Sequence, residues 1–374
     1  MTNVLLTGIT GLVGSSFATE ALRRDKGLRL TALVRGQGTK NAHVRARESV
    51  EEQCALDGTP ELTEEFLDRI EIVAGDVADD ELTTNKHILK GYDTVFHCAA
   101  DVNLGKDPFG HTYFTNYQGA KNMVKIAKTL GIKNFQYVST AYVSGHHDGV
   151  VKEDGLLPNP VFNNAYEKSK YYAEQMVRAS GLPFTIYRPS IIVGRLTDGA
   201  IRKPLAFYRI LEFLLKLKKH HCAKKHLIPS DLVTMPLRLE ATPSESVYFV
   251  PIDYIQKTIT RLFFKPPENR TYHLTGNSPV STKAIERVVG ATLKVKGVVV
   301  EEKVHNPSMD EKLVHKFIGD LLPYFSSQSV FDLGNVVAAE GAASLDWGLD
   351  ENKLVMLIGG FFQNIFPELA ESRR

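Results

Sequence analysis

Net charge of either sign, cysteine and long apolar runs are all scarce in this sequence. Lys and Arg number 45 against 43 Asp and Glu, a formal charge of +2, so no whole-molecule field favours nucleic acid and a basic function has to come from a local patch. Three cysteines, Cys54, Cys98 and Cys222, are an odd number without metal-ligand spacing; they suit a reducing compartment better than a disulfide framework. Cys98 falls within an expected buried strand, which argues against an acyl-cysteine mechanism. His146-His147 and His220-His221 are adjacent rather than four apart, so no metal site is expected. No uninterrupted apolar run approaches the ~20 residues of a membrane span, and no basic segment with a small-residue cleavage site precedes the first apolar stretch. A cytoplasmic location is expected. Repeats and low-complexity tracts are absent too. What remains is 374 residues, 43% hydrophobic and 24% charged, enough for one large α/β domain or two lobes.

What the sequence does have begins with Thr7-Gly8-Ile9-Thr10-Gly11-Leu12-Val13-Gly14, which joins a short apolar strand to a helix. Gly8 permits a tight turn, Gly11 a close approach of backbone to a pyrophosphate, and Gly14 close packing of the helix on a sheet. Anionic phosphate is expected on the unpaired N–H groups of the Thr10–Val13 corner, at the positive end of the helix dipole. The following strand, 28–34, ends at Arg35, where dinucleotide folds place an acid for a free ribose 2′-OH or an arginine for a 2′-phosphate. NADPH is therefore expected over NADH, with Arg45 on the next helical segment as a second charge. Strand 70–74 ends in Gly75-Asp76-Val77, with Asp76 and Val77 expected at the adenine. Strand 94–98 runs into Ala99-Ala100, small enough for a cofactor to pass the backbone. Asn116, among apolar helical positions, is expected to bridge strand ends beside the cofactor.

Strands at 134–139 and 183–187 continue the alternation with helices at 111–130 and 164–180. This predicts a Rossmann-type, doubly wound parallel α/β sheet that binds ligands at the carboxyl ends of its strands. Residues 1–194 form the expected dinucleotide-binding domain, with 247–275 returning to it. Residues 195–246 and 276–374 form a smaller substrate-binding lobe. Within that lobe 230–246 reads as polar and proline-punctuated.

Thr140 closes the fifth strand, and 26 residues later come Tyr166 and, four further on, Lys170. Spacing of four puts phenol and ammonium on one helical face. The lysine is expected to lower the phenol's pKa toward working pH and to hold the ribose hydroxyls, so that Tyr166 moves a proton while Thr140 stabilises an oxyanion. In this order the landmarks resemble the extended short-chain dehydrogenase/reductase family, with its Ser/Thr, Tyr, Lys active site.

A narrower likeness lies in His97-Cys98-Ala99-Ala100-Asp101-Val102-Asn103, Asn116-Tyr117-Gln118-Gly119, Tyr166-Glu167-Lys168-Ser169-Lys170, Arg188-Pro189-Ser190-Ile191-Ile192-Val193-Gly194 and Val250-Pro251-Ile252-Asp253-Tyr254-Ile255. These resemble thioester reductases, the terminal reductase domains of carboxylic acid reductases and nonribosomal peptide synthetases, with fatty acyl-CoA reductases as relatives. The resemblance implies NADPH, an acyl thioester reduced to aldehyde or alcohol, catalytic Thr140, Tyr166 and Lys170, and Pro189, Ile191 and Ile192 beside the nicotinamide. It fades after residue 275. A sugar-nucleotide epimerase or dehydratase, a hydroxysteroid-type dehydrogenase and a non-catalytic NADP(H)-sensing protein remain alternatives. The helix expected at 204–219 leads into a basic run at Lys216, Lys218, Lys219, Lys224 and Lys225. That end suits an acidic carrier protein, the phosphates of CoA or an anionic membrane surface, or is a solvated helix end.

Overall fold

The computed structural model describes residues 2–228 and 230–365; the end of the expected lobe, 366–374, lies outside them. Seven parallel strands form one sheet: Asn3–Thr7, Arg29–Val34, Ile70–Ala74, Thr94–His97, Phe135–Val138, Phe184–Pro189 and Arg270–Leu274. Numbered first to seventh, they lie in the order 7-6-5-4-1-2-3. The order reverses between the first and fourth strands, and at such a switch point the crossover connections diverge and leave a crevice.

Both faces of the sheet are covered, which is why most of its strand residues are buried, polar ones such as Gln136, Thr185 and Thr271 among them. Val4, Leu6 and Phe96 point to one face and Leu5 and Val95 to the other. On the first face the helix Leu12–Arg24 sends Phe17 onto Phe96, ring centroids 3.9 Å apart, and Phe263 of the helix Ile252–Phe263 meets Phe17 edge-on at 4.9 Å. The helices His111–Thr129 and Ala165–Ala179 cover the second face through Ala120, Met123, Ala173 and Val177.

The segment expected to be merely polar contains a strand, Val233–Glu240, paired in parallel with Val295–Glu301. Pro236 obscures it, since proline has no N–H for a ladder. The partner strand accommodates this with a register shift at Gly297, whose φ is +89° and whose missing Cβ would lie 3.3 Å from Pro236 Cα. A short strand Ser329–Phe331 pairs with Gly149–Val151, so late residues reach the end of the sheet where the fifth strand stops. The helix Phe207–Lys224 starts later and ends later than its sequence pattern suggested. Among the described residues no helix is long and apolar enough to cross a membrane.

Candidate active site

The crevice at the switch point is a cavity of about 470 Å³. Its floor is the glycine turn. Gly8 has φ +85°, and a Cβ there would lie 2.6 Å from Ala99 N, while one on Gly14 would lie 2.1 Å from Gly8 O. Side chains at either position would push the helix off the sheet. Gly11 N donates to Gly8 O at 2.9 Å, and no side chain caps the helix that starts at Leu12. Its first N–H groups are therefore left for a ligand. Thr7 fixes the neighbouring strand end: its Oγ1 bonds His97 Nδ1 at 2.7 Å and accepts from Cys98 N and Ala99 N at 3.2 and 3.1 Å.

At one end of the cavity stand Arg35, Arg45 and Lys203 with Asp76 and Val77. Arg35 pairs with Asp76 at 3.2 Å, and Arg45 donates to the Arg35 carbonyl. Burial, then Arg35, lowers the Arg45 pKa; burial, then Arg202 and Arg45, lowers that of Lys203. Cations crowd here without enough carboxylate. Arg202 and Lys203 had no signal in the sequence because they lie almost two hundred residues from the glycine turn. Arg202, with a side chain 7% exposed, donates to the carbonyls of Thr10 and Gly11 at 3.1 and 2.8 Å and pairs with Glu52 at 3.0 Å.

Toward the middle, Thr140, Tyr166 and Lys170 share the cavity wall with Ala99, Ala100, Pro189, Ile191 and Ile192. Lys170 Nζ donates to Val138 O at 2.7 Å and lies over the Tyr137 ring at 4.7 Å. Burial pushes its pKa down to about 8. The expected lowering of the Tyr166 pKa does not occur. Burial raises it, and the hydrogen bond to Thr140 opposes that without overcoming it. The lysine's ammonium turns to a strand carbonyl, so desolvation of the phenol goes uncompensated. Cys98 lines the same wall with its thiol pushed up to about 11 by burial, too high for a working thiolate.

Two expected cofactor contacts stand behind the wall. Gly14 packs against the turn, as the close approach to Gly8 requires. Asn116 uses its amide on the protein: Oδ1 accepts from Asp101 N at 2.7 Å, and Nδ2 donates to Asp101 O at 3.0 Å and Ser169 Oγ at 2.9 Å. It bridges the fourth strand's exit to the Tyr166 helix, and so positions the wall without forming it. Also buried beneath the site, Arg188 of the sixth strand pairs with Glu174 of that helix at 2.5 Å. Burial opposes the charge, but Arg188 and Arg178 hold the Glu174 carboxyl below its usual range.

The cavity is also lined by Val102, Leu104, Leu205, Ala206, Tyr142 and Tyr324, none of which the sequence assigned to the site. The expected basic run is only partly available. Lys218 is 2% exposed and donates to Leu293 O at 2.7 Å, while Lys216 pairs with Glu212 at 2.5 Å and His221 with Asp310 at 2.8 Å. Lys218 faces inward because it lies on the apolar side of the helix with Leu211, Leu214 and Leu215.

The glycine cradle and the open helix start together fit the pyrophosphate of a dinucleotide. The chain resembles the nonribosomal peptide synthetase asaC of Aspergillus flavus, at 29% identity over 303 residues covering 76% of this chain and 27% of that protein. A carboxylic acid reductase of Segniliparus rugosus is 30% identical over 236 residues, covering 57% of this chain and 19% of the relative. The chain thus spans about a quarter or less of these relatives' lengths. A terminal R domain from the myxalamid PKS-NRPS biosynthetic pathway superposes with a TM-score of 0.73 at 23% identity, covering 98% of this chain and 92% of that one, a likeness of fold. The pattern of the NAD-binding male sterility proteins matches residues 6–259, and the chain belongs to that family.

Proposed function

We propose that the chain is an NADPH-dependent reductase of an acyl thioester, bound to CoA or to a carrier protein, giving an aldehyde and, with a second hydride, an alcohol. One observation carries this reading: a glycine cradle, three cations and a hydroxyl, phenol and ammonium trio meet in a single cavity that apolar side chains also line. The relatives named as a carboxylic acid reductase and as a nonribosomal peptide synthetase support carbonyl reduction, and the thioester follows from the resemblance of the motifs. The residues that would hold the dinucleotide are Gly8 to Val13 at the pyrophosphate, Arg35, Arg45 and Lys203 at a 2′-phosphate, and Pro189, Ile191 and Ile192 at the nicotinamide end. When bound, NADPH supplies hydride to the carbonyl carbon.

The remaining steps belong to the chain. Tyr166, kept neutral by burial, donates its proton to the carbonyl oxygen as charge develops there. Lys170, whose pKa of about 8 keeps it mostly charged at pH 7, turns from Val138 O toward the phenolate left behind and the ribose hydroxyls. Thr140 holds the Tyr166 oxygen by hydrogen bond. Collapse of the thiohemiacetal returns its hydroxyl proton to Tyr166, breaks the C–S bond and releases the thiol after proton uptake.

Purified protein mixed with NADPH and a panel of acyl-CoA, acyl-carrier and aldehyde substrates should consume the nicotinamide absorbance with at least one thioester. Tyr166→Phe should cut turnover on the order of 10²-fold while leaving the NADPH Kd unchanged. Consumption with no thioester, or near-normal turnover in the variant, would overturn the reading.

A further inference from the structure

Resting on that carbonyl-reductase reading, we propose that Tyr142 is a second phenol that touches the substrate, donating a hydrogen bond to the reacting carbonyl oxygen beside Tyr166. Thr140, the expected second hydroxyl, is already engaged: its Oγ1 donates to Pro189 O at 3.4 Å and accepts from Tyr142 N at 3.4 Å. A hydroxyl has one proton to give, and Thr140 has both Pro189 O and the Tyr166 oxygen to give it to, which leaves none for the substrate. Tyr142, two residues further along the same short turn Ala141–Ser144, has the opposite situation. Tyr142 lines the cavity, its hydroxyl oxygen is buried, and among the described residues its phenol proton has no acceptor. The Ile191 amide, which gives its proton to Tyr248 O at 3.3 Å, also lies against the Tyr142 oxygen as a donor, a contact that leaves the phenol proton unspent. Ser139, by contrast, faces the Glu174 carboxylate, which can accept its proton.

The Tyr142 ring is also held in direction. Tyr324 stacks edge-on against it at 4.7 Å and Phe331 at 6.4 Å. Both come from late in the chain, so the lobe that follows the glycine fold aims this phenol. Burial raises the Tyr142 pKa, with Glu167 adding to it, which keeps the group a neutral donor at working pH. A buried donor with no acceptor costs free energy, which a ligand atom that completes the bond recovers. The developing oxyanion is the acceptor that gains most, because its charge appears where water is excluded.

The test uses the full chain with NADP⁺ and 4-(dimethylamino)cinnamaldehyde, a chromophore that shifts to the red when its carbonyl accepts hydrogen bonds. The wild type should shift the absorbance, and Tyr142→Phe, which keeps the stacked ring, should shift it less at unchanged cofactor affinity. In reduction of the same aldehyde by NADPH, that variant should lose kcat on the order of 10²-fold with KM little altered. Installing 3-fluorotyrosine at 142, a stronger donor of nearly the same size, should enlarge the shift. A full shift in Tyr142→Phe combined with a lost shift in Tyr166→Phe overturns this inference and leaves the reductase reading standing. A change in KM alone also overturns it, since the donor would then serve another atom. No shift in the wild type defeats both.

Discussion

Lys170 is the residue whose surroundings differ most from what spacing alone suggests. Four-residue spacing to Tyr166 correctly brings both side chains to one cavity wall, yet it says nothing of solvent, and burial among Tyr137, Cys98 and Glu174 governs the ionisation of both. With a pKa pushed down to about 8 by burial, the ammonium is present below that pH and is lost as pH rises through it. We expect kcat/KM for the reductase reaction to fall above about pH 8, reporting free enzyme. Lys170→Arg, always charged, should lower the plateau and remove that limb from the profile. An unchanged limb in the variant would assign it to another group. Much of the wall was legible at this scale because glycine, small-residue and Tyr/Lys signals are local. Tyr142, Arg202 and Lys203 were not, since their roles arise from contacts between distant segments.

Elements meet at the phosphate end, where Arg35 follows the second strand, the helix Ala42–Leu56 contributes Arg45, and a segment far downstream contributes Lys203, with Arg202 behind it on the glycine turn. The two roles here separate by experiment. Arg35 is half exposed and paired with Asp76. An exposed pair of that kind is worth ~0–1 kcal/mol, so its guanidinium can turn to a 2′-phosphate at small cost. Arg35→Ala should raise the Kd for NADPH roughly tenfold to a hundredfold and leave that for NADH unchanged. Arg202 instead ties down the carbonyls of Thr10 and Gly11, which aims the turn's N–H groups. Arg202→Met, which keeps an apolar stem, should weaken both cofactors by the same factor, measured by fluorescence titration. An Arg202 variant that discriminates between them would make it a phosphate ligand. The same division marks what pattern could find among the elements. Most strands covered on both faces announce themselves as largely apolar runs, whereas Val233–Glu240 hides behind Pro236 because its pairing depends on a bulge at Gly297 in another strand.

Across the whole molecule, the sheet carries the glycine turn and later segments bring Tyr324 to the same cavity, so the proposed reductase reading raises the question of how a large acyl donor is delivered. We expect the end of the helix Phe207–Lys224 to receive the acidic surface of a carrier or the phosphates of CoA through Lys216, Lys219, Lys224 and Lys225. Lys218 is left out of that set: its ammonium is buried on Leu293 O, so replacing it removes a packed side chain and strands a carbonyl. Lys218→Ser should therefore lower Tm. Serine at the other four positions should raise KM for the charged thioester while KM for a small aldehyde stays constant. Added salt should shrink the difference, because exposed charges are screened beyond ~8 Å at physiological ionic strength. If the face serves an anionic membrane instead, the four-serine variant keeps both KM values and loses sedimentation with phosphatidylserine vesicles. If it is only a solvated helix end, neither readout moves, and the acyl donor must enter by contacts nearer the Val102 and Leu104 side of the cavity.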